Sequence, residues 1–463
     1  MAARAESCNA QTRLPIGAKR CEGEVGVARR PLAAVACEGR RGHFHMDTAL
    51  LHAQSALGIV IIIALAWAVS ENRRAFDWRI VAGGLGMQLV LALILLEIPL
   101  ARSALFALNG AVEALNNATR AGSGFVFGYI GGAPEPFDVT KPTNITSLAF
   151  SVLPLVMVIS ALSAILWHWG ILGRIVNGIA FVLKRVMGIG GAVGLGAAAT
   201  VFLGNIEGQL VIRPYLARMT RTELFILMTT GLAVIAGTVF VLYATILTPV
   251  MPDALGHLLV CSMMSLPAAI MISRIMVPGS ADTDHNGKTG HEYRSTMDAM
   301  ADGTVNGAKI YAQIIAMLLV TVALVALVNM MLGVLPHVAG APLTMERVLG
   351  WVFAPVVWLY GVPAADAVTA GGLMGTKIVL NELISYLNMA NLPSGTLTPR
   401  TVMIMVYAMC GFANLASVGI LIAGMSALLP DRRDEIVPLA LKALLSGAMA
   451  TGLSACWIGL LPL

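Results

Sequence analysis

Gly204-Asn205-Ile206-Glu207, then Arg218-Met219-Thr220-Arg221-Thr222, then Gly231-Leu232-Ala233-Val234-Ile235-Ala236-Gly237 make one copy of a pattern that the chain uses twice. The second copy reads Leu380-Asn381-Glu382-Leu383, Leu397-Thr398-Pro399-Arg400-Thr401 and Gly411-Phe412-Ala413-Asn414-Leu415-Ala416-Ser417. Each copy has a Glu beside an Asn in an apolar setting, a Thr-Arg-Thr or Thr-Pro-Arg-Thr helix start, and a heptapeptide opening on Gly. The spacing agrees too, with ten residues from Arg221 to Gly231 and eleven from Arg400 to Gly411. Weak repeats of opposite orientation, each with a Gly-interrupted apolar segment, are how many secondary transporters build a site at the bilayer midplane.

The surrounding composition demands lipid. Of 463 residues, 57% are hydrophobic and 12% charged, and the mean hydropathy is +0.81. Soluble domains carry about 25% charge, so this chain lacks the polar surface to face water throughout. Segments long enough to cross a ~30 Å hydrocarbon core are expected at 49–69, 80–96, 147–167, 224–247, 254–275, 310–332, 401–429 and 437–463. Two more, 189–212 and 348–386, are apolar but broken by Gly, Pro and charge. The expected fold class is therefore an all-α polytopic membrane protein. It has about eight transmembrane helices and two opposed re-entrant hairpins in an inverted repeat.

Charge sets the orientation. Basic loops at Arg73-Arg74, at Arg213, Arg218 and Arg221, after Arg274, and at Arg432-Arg433 all place themselves in the cytoplasm by the positive-inside rule. Hairpin one then enters from the cytoplasm and hairpin two from outside. The +5 net charge is spread over these loops and implies no nucleic-acid partner. Residues 1–45 are polar, carry eight Lys/Arg and lack the apolar core of a signal peptide. They are expected to be disordered or mis-assigned, with Met46 as a candidate start. Residues 46–145 hold the first spans and an interfacial helix at 101–119. Residues 146–275 form the first repeat, with hairpin one at about 189–215. Residues 276–342 hold a cytoplasmic loop, a second amphipathic helix at 295–309 and a scaffold span. Residues 343–463 form the second repeat, with hairpin two at about 345–388.

Glu207 and Glu382 carry the chemistry. A carboxylate at the bilayer centre costs at least ~2.5 kcal/mol even on lenient insertion scales, so each acid is expected inside protein, at a hairpin break. A plain ion pair, Glu207 with Arg213 or Glu382 with Lys377, is the competing explanation. Half-helices leave backbone N–H and C=O groups unpaired at their breaks. With Asn205, Glu207, Glu382, Asn414 and Ser417, those groups suit a neutral solute bearing many hydroxyls. Other chemistries find no residues. Gly194-Leu195-Gly196-Ala197-Ala198-Ala199 imitates a dinucleotide loop without the strand–helix unit around it. No nucleotide-binding lysine loop, no metal-ligand spacing among the eight His and six Cys, and no Ser/His/Asp set is present. Catalytic residues, cofactors and metals are all expected to be absent.

Residues 202–225 (FLGNIEGQLVIRPYLARMTRTELF) resemble the first hairpin of the concentrative nucleoside transporter family. Residues 375–383 (GTKIVLNEL) and 410–419 (CGFANLASVG) resemble its second hairpin and the unwound helix after it. The likeness runs in order from about residue 50 to the C-terminus. It implies a homotrimer in the bacterial inner membrane, each protomer importing nucleosides on an ion gradient, with a transport domain moving past a scaffold. It further implies that Asn205, Ile206 and Glu207 face the nucleobase. Glu382, Asn414 and Ser417 would hold the ribose hydroxyls, with Phe412 lining the same pocket.

Departures from the family pattern sharpen the expectation. Asn205 replaces the usual Gln, Ile206 the usual Ser or Thr, and Gly208-Gln209 the usual Ala-Pro. The positions that supply sodium with side-chain oxygen are Thr200 and Val234 here, and Val234 has none. Proton coupling is therefore expected, with Glu207, Glu382 and Thr200 as the coupling-ion candidates. The alternatives are sodium symport and an intramembrane enzyme acting through the paired Glu.

Overall fold

The computed structural model describes residues 32–138, 147–284, 293–338 and 340–461, and among them regular structure is helical, with one isolated bridge between Val338 and Ala341. In order these helices are α1 (Leu32–Ala68), α2 (Trp78–Glu97), α3 (Pro99–Phe127), α4 (Leu155–His168), α5 (Ile171–Met187) and α6 (Gly191–Leu203). Next come α7 (Glu207–Val211), α8 (Arg213–Leu216), α9 (Arg221–Ala233), α10 (Gly237–Leu247), α11 (Ala254–Met276) and α12 (Thr296–Leu332). The last six are α13 (Met345–Leu359), α14 (Ala364–Val379), α15 (Glu382–Ala390), α16 (Pro399–Met409), α17 (Leu415–Leu428) and α18 (Arg433–Leu460). The chain divides into two units, residues 1–48 and 49–463, and the second carries the apolar spans and both hairpins. The expectation of disorder for residues 1–45 falls outside the described residues as far as 31, and over 32–45 it is corrected, since that stretch opens the helix α1.

Among the described residues, seven helical stretches are long and apolar enough to cross a bilayer, and an eighth arises if α13 and α14, bent by 116°, count as one. The repeat orders the helices. The series α4, α5, α6, α7–α8, α9, α10, α11 answers the series α12, α13, α14, α15, α16, α17, α18. The halves interlock, since α9 packs on α18, α16 on α11, and α10 on α15 of the other half's hairpin.

Local chemistry explains the repeated starts. Thr220 caps α9 by accepting from the Glu223 N–H at 3.2 Å, while Glu223 accepts from the Thr220 N–H at 2.8 Å. This reciprocal box satisfies two otherwise orphaned donors. Thr398 caps α16 in the same way, accepting from the Thr401 N–H at 3.3 Å, with Pro399 in the first turn where its missing N–H costs nothing. A carboxylate backs each start. Glu223 accepts from Thr283, and Asp366 accepts from the hydroxyls of Thr398 and Thr401 at 2.8 and 2.6 Å.

Two expectations need correction. The segment 295–309 is no separate amphipathic helix. It is the opening of α12, capped by Ser295, because nothing at Lys309-Ile310 interrupts the hydrogen-bond ladder. The expected span 401–429 is two helices, α16 and α17, parted at Cys410–Asn414. Asn414 ends the break by capping α17, its Oδ1 accepting from the Ser417 N–H at 2.7 Å. The expected interfacial helix 101–119 lies within the longer α3. The range 345–388 holds three helices, with α13 bent away from the α14–α15 hairpin.

Candidate substrate site

Glu382 opens α15 just past the tip of hairpin two, where Asn381 caps the helix by accepting from the Ile384 N–H at 2.9 Å. Glu382 is 4% exposed. Its Oε1 accepts from the Tyr243 hydroxyl at 2.6 Å and its Oε2 from the Asn414 amide at 2.9 Å. Three elements thus converge on one acid: α10 of the first repeat, the hairpin, and the N-terminus of α17. These two hydrogen bonds tie α10 and the start of α17 to the hairpin. Tyr243 is held in turn by Tyr386, ring centroids 5.3 Å apart.

The first repeat is arranged differently. Glu207 opens α7 after the break at Gly204-Asn205-Ile206. Asn205 is buried with its Oδ1 against Gly231 of α9, and that oxygen has no hydrogen-bond partner among the described residues. Ile206 packs on Gly424 of α17, where an added methyl would collide with it. Gln209 donates to the Leu227 carbonyl at 3.2 Å, leaving its Oε1 unpaired among the described residues.

Two cavities result. One, about 190 Å³, is lined by Asn205, Tyr243, Asn381, Glu382, Phe412, Asn414 and Ser417, and closed by Gln313 and apolar residues of α12. The other, about 70 Å³, is lined by Glu207 with Ser160, Ser163, Thr238 and Asn306. Ile310 of α12 borders both. Of the sequence candidates, Asn205, Glu382, Phe412, Asn414 and Ser417 meet in one cavity. Glu207 faces the adjoining one, and Ile206 lines neither.

Thr200 is buried within hairpin one, on α6, donating to the Gly196 carbonyl at 2.8 Å. The Val234 carbonyl, in the break between α9 and α10, accepts from the Phe412 N–H at 3.4 Å. Neither competing ion pair forms among the described residues: both oxygens of Glu382 are engaged elsewhere, and the Lys377 ammonium is buried without a hydrogen-bond partner. Sequence reading missed Tyr243 and Gln313, and it placed Asn381 in the repeat without assigning it to the site. A tyrosine and an amide inside apolar spans were the available signals.

Independent comparisons converge on one identity. Family models described as the N-terminus and C-terminus of the Na+ dependent nucleoside transporter match residues 57–130 and 257–459, and one described as nucleoside recognition matches 149–250. The nucleoside permease NupC of Helicobacter pylori is 32% identical over 414 residues, covering 88% of this chain and 97% of the relative. An uncharacterized transporter of Haemophilus influenzae is 34% identical, covering 88% and 97%. The chain belongs to the concentrative nucleoside transporter family.

CNTnw, solved in an inward-facing substrate-bound state, superposes on this transporter with a TM-score of 0.80 at 33% identity, covering 88% of this chain and 98% of that one. The family fold accounts for the inverted repeat, and this concentrative transporter is a multi-pass membrane protein rather than an enzyme.

Proposed function

We propose that this protein imports nucleosides, or solutes closely like them, together with protons across the bacterial inner membrane. The supporting observation is Glu382, buried at the meeting of three broken elements with Tyr243 and Asn414 on its two oxygens. A carboxylate accepts from two adjacent hydroxyls, as a ribose presents them. Asn414 and Ser417 line the same wall, Phe412 offers a face for stacking, and Asn205 closes the base end.

Proton coupling draws support from the groups available to a cation. Thr200 brings a single hydroxyl oxygen, Val234 has no side-chain oxygen and a carbonyl that already accepts from Phe412, and Glu207 sits in its own small cavity bordering the first. Sodium needs several oxygens at close range. Sodium symport is the second reading, favoured by the family models, whose descriptions specify Na+ dependence. In proteoliposomes, uptake of labelled nucleoside that tracks an inward proton gradient without sodium and collapses with a protonophore supports the proposal. Uptake that requires external sodium at fixed pH sinks it.

The family resemblance further supports a homotrimer. The most apolar stretch of α12, with mean hydropathy 2.7, is largely exposed within the protomer, with Thr321 its buried member, and the face turned from the cavity is free to meet lipid or other copies. Mass measurement of the detergent-solubilised protein tests this, and a monomer contradicts it.

A further inference from the structure

The wall of the Glu382 cavity opposite hairpin two is α12. Ile310, Gln313, Ile314, Met317 and Leu318 line it, a spacing that puts them on one helix face. Gln313 is the polar member of that face. An amide in a transmembrane helix is costly unless it faces protein, water or ligand. The other amide in the apolar part of α12 is accounted for: Asn329 Nδ2 donates to Glu346 at 3.2 Å, and its Oδ1 accepts from the Met345 N–H at 2.7 Å. Thr321 is satisfied by the Met317 carbonyl. Gln313 makes no hydrogen bond among the described residues, and it lines the same cavity as Asn205, Glu382 and Asn414.

Resting on the nucleoside reading above, we propose that Gln313 reads the base edge of the bound nucleoside, making α12 a specificity-determining wall of the site. The chemistry is that of a primary amide, which donates and accepts side by side. It matches any nucleobase edge with an adjacent donor and acceptor, as glutamine matches adenine in nucleic-acid recognition. Glu382, Asn414 and Ser417 occupy the facing wall, so a ribose anchored there presents its base toward α12. Asn205 is one methylene shorter than glutamine, and its Oδ1 lies against Gly231. That leaves the longer amide of Gln313 to reach the base.

The test is uptake kinetics in proteoliposomes for wild type, Gln313→Leu and Gln313→Asn. The panel is uridine, adenosine and analogues of each methylated on the hydrogen-bonding edge of the base. Loss of a hydrogen bond from an uncharged site corresponds to a roughly 5- to 10-fold change. Gln313→Leu is expected to raise KM for uridine and adenosine by that factor. The maximal rate should stay near wild type, and discrimination against the methylated analogues should vanish. Gln313→Asn, which keeps the amide, should fall between the two and serves as the readout if the leucine variant does not reach the membrane. A variant that keeps the wild-type ratio of KM between nucleosides and methylated analogues overturns the inference while leaving the nucleoside reading intact. A wild-type protein that takes up no nucleoside in the panel overturns both.

Discussion

Hairpin two and hairpin one carry the same motif and treat it in opposite ways. At hairpin two the polar groups are already partnered: Glu382 receives Tyr243 and Asn414 with acceptor sites to spare for a ligand, and Asn381 and Asn414 each cap a helix. At hairpin one the polar atoms are left wanting, with Asn205 Oδ1 and Gln209 Oε1 buried and unpaired among the described residues. A buried polar atom without a partner costs about 1–3 kcal/mol. The second half therefore presents a preformed anchor, while the first holds groups that gain from an arriving ligand or proton. On the function proposed above, hairpin two holds the sugar and hairpin one takes part in coupling.

The sharpest way to break this contrast is Glu382→Gln. It removes the charge and sets an amide N–H₂ against the Asn414 donor or the Tyr243 hydroxyl. Two charge-assisted bonds are lost, so uptake of every nucleoside is expected to fall by about 100-fold or more, measured as kcat/KM in proteoliposomes. Tyr243→Phe deletes one of those donors and leaves the carboxylate in place; a fall of roughly 10-fold is expected. Equal losses from both variants would mean that the anchor acts through Tyr243 rather than through the acid.

Smaller effects belong to hairpin one. Ile206→Thr restores a hydroxyl but forfeits packing on Gly424. It is expected to shift the relative KM among bases a few-fold while changing the maximal rate less. If all bases respond alike, Ile206 acts through the position of α17 and not through the ligand.

The repeated Arg gives the mildest contrast. Arg221 donates to Glu71 at 2.9 Å, which also receives Lys442, whereas Arg400 donates to the backbone carbonyls of Gly361 and Gly459. The hydrogen bond from Arg221, with help from Lys442 and against partial burial, holds the Glu71 carboxyl below its ordinary value. A depressed carboxylate stabilises the fold above its usual titration range, and that stability is lost as pH falls through the depressed value. Glu71→Gln is thus expected to cost less than about 1 kcal/mol at neutral pH, as for other partly exposed pairs. In thermal unfolding, the gap between variant and wild type should close as the medium is acidified below the carboxylate range.

Much of this was legible because it is periodic or costly. The acids stood out since charge in hydrocarbon is expensive, and the Thr-Arg-Thr starts stood out since caps have fixed spacing. The helix α5 escaped notice, although its Leu172, Val176, Ala180, Leu183 and Met187 form a buried stripe at helical spacing, and α13 was read as part of hairpin two. The Cys410–Asn414 break was hidden because hydropathy averages over it. That Glu207 and Glu382 face adjoining cavities depends on how the two halves interlock, and no local pattern encodes that. The Tyr243 partner of Glu382 was hidden for the same reason: Lys377 is near in sequence, but Tyr243 from the other repeat reaches the oxygen.

The most direct test of the central claim is thermal unfolding of purified wild-type and Glu382→Gln protein against a nucleoside panel, since a ligand that binds the folded state raises its melting temperature by mass action. The account predicts that at least one nucleoside stabilises the wild type and none stabilises the variant, whose own unfolding stays cooperative. Equal stabilisation of both proteins by the same nucleoside would contradict it.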